Sequence, residues 1–124
     1  EEQLDYIFRL KTGALIEAAF MAGGIIAGCD ENVTKLLEET GYNIGFAFQI
    51  KDDILDVTST QEVLGKPVLS DERNNKTTYV TLYGMEKAEK DTADMSVKAL
   101  ETLKTIGHNE YLEDLITMLI HRDR

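Results

Sequence analysis

The 124-residue sequence is poor in cysteine, in proline and in positive charge. Its one cysteine, Cys29, excludes a disulfide within the chain and fits a reducing, cytoplasmic location. The formal net charge of −10 argues against nucleic acid or an anionic membrane as a partner. The longest uncharged apolar run, residues 18–29, has 12 residues and is too short to span a bilayer.

The sequence also lacks the alternation of apolar and polar residues that is typical of β-strands. Its apolar residues recur at helical spacing instead. Asp30 and Asn109 are predicted to cap two of the helices, and the fourth helix is expected to be exposed and highly charged. A loop is predicted over residues 58–75, which is long for a compact domain and typical of a functional segment. We therefore predict an all-α fold. The five predicted helices cover approximately residues 2–27, 31–57, 77–83, 85–106 and 110–121.

The stretch FQIKDDILDV (residues 48–57) holds three carboxylates among mostly apolar residues. On a helix, Gln49, Asp52, Asp53 and Asp56 form one stripe, which we call the acidic stripe. Carboxylates one turn apart repel by roughly 3 kcal/mol at about 6 Å and an effective dielectric of about 20. The ordinary interpretation is a solvated acidic face. The alternative is a Mg²⁺ site, because Mg²⁺ binds one or two carboxylates together with substrate phosphates.

Three lysines could offset this acidic charge. Lys11 lies in an otherwise apolar helical stripe, where it either extends its head into water or lines a cleft beside an anionic ligand. Gly13, just after it, favours a kink or a close backbone approach to that ligand. Lys66 and Lys76 lie in and next to the predicted loop. Carboxylates, a divalent metal and lysines together suit a diphosphate, to which lysine binds as a point charge.

Four stretches, in order along the chain, resemble the trans-type isoprenyl diphosphate synthases, the polyprenyl synthetase family, and most closely its bacterial farnesyl-forming branch. The similarity covers nearly the whole chain, and the joint match is far more specific than any one motif. Residues 1–124 are thereby expected to form the C-terminal part of a single domain whose N-terminal half is absent. The matching stretches are KTGALIEAA (11–19), GFAFQIKDDILDV (45–57), GKPVLSDERNNKTTYVTLYG (65–84) and IHRDR (120–124).

The resemblance implies the C-terminal portion of an isoprenoid-synthase-type helical bundle around a deep cavity. Two Asp-rich motifs there hold three Mg²⁺ ions on an allylic diphosphate, either dimethylallyl or geranyl. The diphosphate leaves, the double bond of isopentenyl diphosphate attacks the allylic cation, and the product is five carbons longer. The resemblance also implies a homodimer of the full-length protein. The chain contains one Asp-rich motif where the reaction needs two, so the isolated 124 residues are predicted to be inactive.

When the family's metal ligands are carried over residue by residue, the resemblance implies that Asp52 ligates Mg²⁺ directly. Asp53 and Asp56 would act through metal-bound water or orient the cluster.

The same resemblance assigns roles to the remaining polar residues. Lys11 and Lys66 would contact the allylic diphosphate, with Lys76 near the same pocket. Thr12 and Gln49 would line the reacting centre and steady the cation or the diphosphate. Two alternatives stay open, namely a non-catalytic helical subunit of the same family and a terpene cyclase of the same fold class.

Overall fold

The computed structural model describes Ile7, residues 9–64 and residues 77–122. Within these ranges the chain is built from helices and has no strand, so the all-α prediction is confirmed. None of the described helices is long and apolar enough to cross a membrane. The elements are a π-helical turn (Arg9–Gly13), α1 (Ala14–Ile26), α2 (Glu31–Leu64), α3 (Tyr79–Tyr83), α4 (Met85–Ile106) and α5 (Glu110–His121).

The long helix α2 starts as predicted and ends later than predicted. The Asp30 side chain caps it, since Oδ1 accepts a hydrogen bond from the Val33 N–H at 2.9 Å. Residues 58–64 were predicted to begin a loop, but they continue the helix. The sequence TSTQEVL contains neither glycine nor proline, so it offers no residue that would stop a helix. The rest of the predicted loop lies outside the described residues.

Helix α1 packs on α2 through backbone contact at glycines. A Cβ atom on Gly45 would lie 2.6 Å from the Gly13 Cα, and one on Gly41 would lie 2.7 Å from the Glu17 Cα. Only glycine allows so close a crossing. The backbone of Gly13 was predicted to approach a ligand, but the close neighbour that the structure shows is the backbone of α2. The kink falls at Lys11, whose backbone leaves helical geometry (φ −83°, ψ −121°).

The side of α1 on which the sequence places its apolar stripe is not covered in the structure. Leu15 is 72% exposed and Ile25 is 62% exposed, and the neighbouring Ile26 is 87% exposed. Ala18 and Ala22, on the same predicted stripe, are exposed as well. This side of α1 is thus apolar and open.

Helix α4 begins and ends where the sequence predicts, but the expectation that it is exposed is only half right. One side is charged and exposed, and the other is buried against its neighbours. Apart from Leu103, the buried side consists of small residues, which let the helices approach closely. The Thr92 hydroxyl on that side donates back to the Ala88 carbonyl at 2.8 Å, so its polarity is satisfied within the helix. The buried residues of α4 are Ala88, Thr92, Ser96, Ala99 and Leu103.

The core has two clusters, and both include side chains of α2. The first contains an apolar face of α2, which the helical spacing of Phe46, Ile50, Ile54 and Val57 predicts; the first three are buried beside Tyr79 of α3. Val57, predicted on the same face, is half-buried. The second cluster joins α2, α4 and α5 through the residues Ile44, Ala99, Leu103, Ile116 and Ile120.

Candidate functional site

The acidic stripe forms on one uninterrupted stretch of α2, as the sequence predicts. Its members differ in burial along the helix. Gln49 is 3% exposed, the Asp52 side chain is 44% exposed, and Asp56 is exposed. The buried face of α2 therefore fixes the backbone beneath the stripe, while its carboxylates reach the surface.

Asp53 is held from the start of α3. The Tyr79 N–H donates to Asp53 Oδ2 at 2.7 Å, which satisfies one of the backbone donors left over at a helix start. Burial raises the pKa of Asp53 above its ordinary value of 3.8, and the charges of Asp56 and Asp52 raise it further. The Tyr79 hydrogen bond and the charge of Lys11 oppose this rise without cancelling it. Ionisation of Asp53 is thus less favourable than that of a free aspartate, and an approaching cation would oppose this effect.

Lys11 is brought to the acidic stripe by the close packing of Gly13 and α1 against Gly41 and Gly45 of α2, which we call the glycine crossing. Its charge acts on the pKa of Asp53, so the kinked turn and the carboxylates of α2 share one electrostatic neighbourhood. The Lys11 residue is exposed and Thr12 beside it is half-buried. The break in helical geometry at Lys11 turns its side chain away from the direction that a regular helix would give it.

Asp52 has a partner that sequence reasoning missed. Arg122, just after α5, donates from Nη2 to Asp52 Oδ1. The guanidinium carbon also lies 4.0 Å from the centroid of the Phe48 ring, in the arrangement of a cation–π contact. The Arg122 side chain is 23% exposed. The IHRDR stretch marked this segment as similar to the family, but a separation of 70 residues hid the pairing with Asp52.

Two buried side-chain nitrogens at or beside the acidic stripe have no hydrogen-bond partner within the described part of the chain: Nε2 of Gln49 and Nε of Arg122. Buried polar groups almost always have a partner, so each of these needs an explanation. Both are donors: Gln49 lies between Phe48 and Asp52 in the sequence, and Arg122 contacts both of those side chains.

Not every predicted site residue can be placed. Lys66 and Lys76 lie outside the described residues. Across residues 9–64 and 77–122, no three acidic, histidine or cysteine side chains come together as a metal-binding group. The acidic stripe alone therefore offers carboxylates without enclosing an ion.

A cavity of about 330 Å³ lies between α2, α4 and α5. Its walls include Lys51 and Ile54 of α2, Leu100 of α4 and Ile120 of α5. None of the predicted site residues that the structure describes lines this cavity, so it is separate from the acidic stripe.

Comparison with known proteins gives a consistent result. The sequence model of the Polyprenyl synthetase family matches residues 1–118. The farnesyl diphosphate synthase of Micrococcus luteus is 41% identical over 123 residues, which are 98% of this chain and 42% of that protein. The farnesyl diphosphate synthase of Geobacillus stearothermophilus is 44% identical over 91 residues, which are 73% of this chain and 31% of that protein.

A further relative carries a different product name. The geranylfarnesyl diphosphate synthase of Aeropyrum pernix is 38% identical over 132 residues, covering 97% of this chain and 42% of that protein. The chain thus spans at most about two fifths of the length of these curated relatives.

Proposed function

Because the chain belongs to the polyprenyl synthetase family, we propose that the whole protein is a prenyltransferase that joins isopentenyl diphosphate to an allylic diphosphate. Dimethylallyl and geranyl diphosphate are the proposed allylic substrates, and farnesyl diphosphate is the proposed product. One observation carries the proposal: the kinked turn brings Lys11 into the electrostatic neighbourhood of the acidic stripe. An anionic ligand that also attracts Mg²⁺ would be bound between them.

The acidic stripe fits Mg²⁺ in its chemistry. Its three aspartates offer carboxylate oxygens, which Mg²⁺ prefers. A bound cation would also oppose the rise in the pKa of Asp53. Asp52 would ligate the metal directly, while Asp53 and Asp56 would act through water or orient the cluster. The family resemblance implies three ions. Bound Mg²⁺ would neutralise the charge that develops on the leaving diphosphate.

The contact with Arg122 is compatible with this role for Asp52. Arg122 engages Oδ1 of Asp52, and within the described ranges no hydrogen bond or ion pair involves Oδ2, which would be the oxygen offered to a metal ion. The arginine also draws the end of α5 onto the acidic stripe, where its positive charge offsets part of the repulsion between the carboxylates.

The remaining predicted residues would bind and orient the allylic substrate. Lys11 and Lys66 would contact its diphosphate, with Lys76 near the same pocket. Gln49 supports this arrangement, because a diphosphate oxygen could accept from its buried Nε2. Thr12 would line the reacting centre. These residues would contribute orientation and electrostatic stabilisation rather than proton transfer.

We extend the proposal to a cytoplasmic homodimer. In the whole protein, the rest of its own chain, a second subunit or both would cover the exposed apolar side of α1, because a large apolar surface is unfavourable in water. Gel filtration with light scattering on the full-length protein would test the dimer.

The decisive experiment uses the full-length protein with Mg²⁺, geranyl diphosphate and labelled isopentenyl diphosphate. We expect labelled farnesyl diphosphate, and loss of product when EDTA removes the metal. A cyclic hydrocarbon formed from geranyl diphosphate alone would favour the terpene cyclase. A folded protein without turnover on either allylic substrate would favour the non-catalytic subunit.

A further inference from the structure

Tyr79 connects the acidic stripe to α4 through its two ends. Its backbone N–H donates to Asp53 Oδ2 at 2.7 Å, and its phenol hydroxyl donates to Asp91 Oδ2 at 2.6 Å. The same oxygen of Asp91 accepts from Lys87 Nζ at 2.7 Å. Asp91 lies on α4, and neither the family resemblance nor the acidic stripe gives it a role.

The ring between these two ends is tightly held. Tyr79 is 7% exposed, and its ring meets the Phe46 ring edge to face, with centroids 6.1 Å apart. The Tyr83 ring also packs against it, at 4.6 Å between centroids. A shift of the phenol group would therefore move the whole residue, including the N–H that holds Asp53.

Helix α3 cannot supply this rigidity by itself. It has five residues, far fewer than a helix needs to be stable alone. Its cap is local, because the Thr78 and Thr81 side chains bond each other's backbone. The hydrogen bond from Tyr79 to Asp91 ties α3 to α4, beside a cation–π contact in which Lys87 Nζ lies 5.6 Å from the Tyr83 ring centroid.

From this geometry we infer that Tyr79 and Asp91 form a positioning pair that fixes the carboxylate of Asp53 for the reaction. Asp91 anchors the phenol of Tyr79, and Tyr79 in turn fixes the donor that orients Asp53. Neither residue touches substrate. The inference rests on the proposed function, since it gives Asp53 a task in the acidic stripe.

The test uses four single substitutions in the full-length protein. Tyr79→Phe removes the phenol hydroxyl and keeps the ring and the N–H, while Asp91→Ala removes the acceptor. Tyr111→Phe, on a side chain that is 75% exposed, controls for loss of a hydroxyl. Asp94→Ala, at an exposed position one turn along α4, controls for loss of a carboxylate.

We expect Tyr79→Phe and Asp91→Ala each to lower kcat by about three- to tenfold and to raise the half-saturating Mg²⁺ concentration by a similar factor. The KM for isopentenyl diphosphate should stay unchanged, as should all parameters of the two controls. The pair acts through Asp53, so Tyr79→Phe should cost less than twofold in kcat when Asp53 is already Asn. An equal loss in both backgrounds, or a lowered Tm without a shift in Mg²⁺ dependence, would overturn the inference.

A second measurement does not depend on turnover. Amide hydrogen exchange at Tyr79 should become at least tenfold faster in Tyr79→Phe and Asp91→Ala, and should not change in the controls. If the wild type makes no prenyl product but this exchange pattern is seen, the proposed function fails while the Tyr79–Asp91 anchor stands. Unchanged exchange in Asp91→Ala would remove the anchor, whatever the enzyme's activity.

Discussion

Helices α1 and α4 both pack along α2, but they are built from different residues. The first meets α2 through glycine and backbone, and its outer side exposes Leu15 and Ile26. The second buries a stripe of small residues and turns charged ones outward. The outer side of α4 is thus suited to water, whereas the outer side of α1 is suited to contact with more protein. Lys11, whose charge acts on Asp53 of the acidic stripe, belongs to the α1 side.

The largest expected effect concerns the open side of α1. The 124-residue chain on its own should be helical, form no prenyl product and self-associate, because one Asp-rich motif is insufficient and an apolar surface is exposed. The double variant Leu15→Glu with Ile26→Lys should shift it towards monomer in sedimentation velocity. Val97→Lys on α4, at a position that is 53% exposed, is the matched control and should not. Turnover near that of an intact synthase would contradict the prediction.

The next largest effect contrasts carboxylates on α2 and α4. Asp52→Ala in the full-length protein should lower kcat by about 10²–10³-fold, in the range seen when one electrostatic catalytic group is lost. Its side chain is 44% exposed, so no core cavity should form and circular dichroism should be unchanged. Asp94→Ala on α4 should retain wild-type turnover. Near-normal Mg²⁺-dependent turnover in Asp52→Ala would remove it from the metal site.

A smaller effect is expected from the lysines. Lys11→Met should raise the KM for the allylic diphosphate roughly ten- to a hundredfold, because a charge-assisted contact contributes about 1.5–3 kcal/mol. Lys66→Ala should do the same, and the exposed Lys104→Met on α4 should not. If neither Lys11→Met nor Lys66→Ala changed the kinetics, both lysines would be ordinary surface residues.

Substitution of a glycine at the glycine crossing should lower the free energy of unfolding. Gly45→Ala places a Cβ 2.6 Å from the Gly13 Cα and should cost about 1–3 kcal/mol of unfolding free energy by overpacking. Gly23 lies on α1 itself, and in Gly23→Ala no atom would lie within 4 Å of the new Cβ. This substitution should stabilise the helix by about 0.5–1 kcal/mol. Urea unfolding measures both, and equal behaviour of the two variants would show that the backbone contact does not matter.

The smallest expected effect is a pH dependence of folding stability that comes from Asp91 on α4. Burial raises the pKa of Asp91, but the hydrogen bonds from Lys87 and Tyr79 outweigh it and hold this pKa below the ordinary 3.8. A lowered carboxyl pKa stabilises the fold above the unfolded-state value, and that stability is lost as pH falls through the folded-state value. Asp91→Asn should therefore destabilise the protein at pH 7 and matter less at pH 3. An equal difference at both pH values in urea unfolding would contradict this.

The sequence predicted those features that depend on neighbours within a few residues. The Asp30 cap, the bounds of α4 and the stripe from Gln49 to Asp56 all rest on helical spacing or on a single turn. The extension of α2 to Leu64 was missed because a polar segment without glycine or proline suits a helix as well as a loop.

The contacts that complete the site were beyond the reach of local patterns. Arg122 meets Asp52, and Tyr79 joins Asp53 to Asp91, only after the helices have packed. The partner of Gly13 likewise could not be read from its own segment, because any close neighbour would require a glycine there. The roles of the site residues remain predictions until the substitutions above are measured.

The contact between Arg122 and Asp52 also sets an order of events during protein synthesis. A ribosome that adds about 5–20 residues per second needs roughly 4–14 s to cover the 70 residues between them. Throughout that interval the carboxylate exists without the arginine that later neutralises it. A nascent chain stalled before Arg122 should therefore present an unbalanced acidic stripe, and it should bind free divalent cations or basic chaperone surfaces more readily than the released protein does.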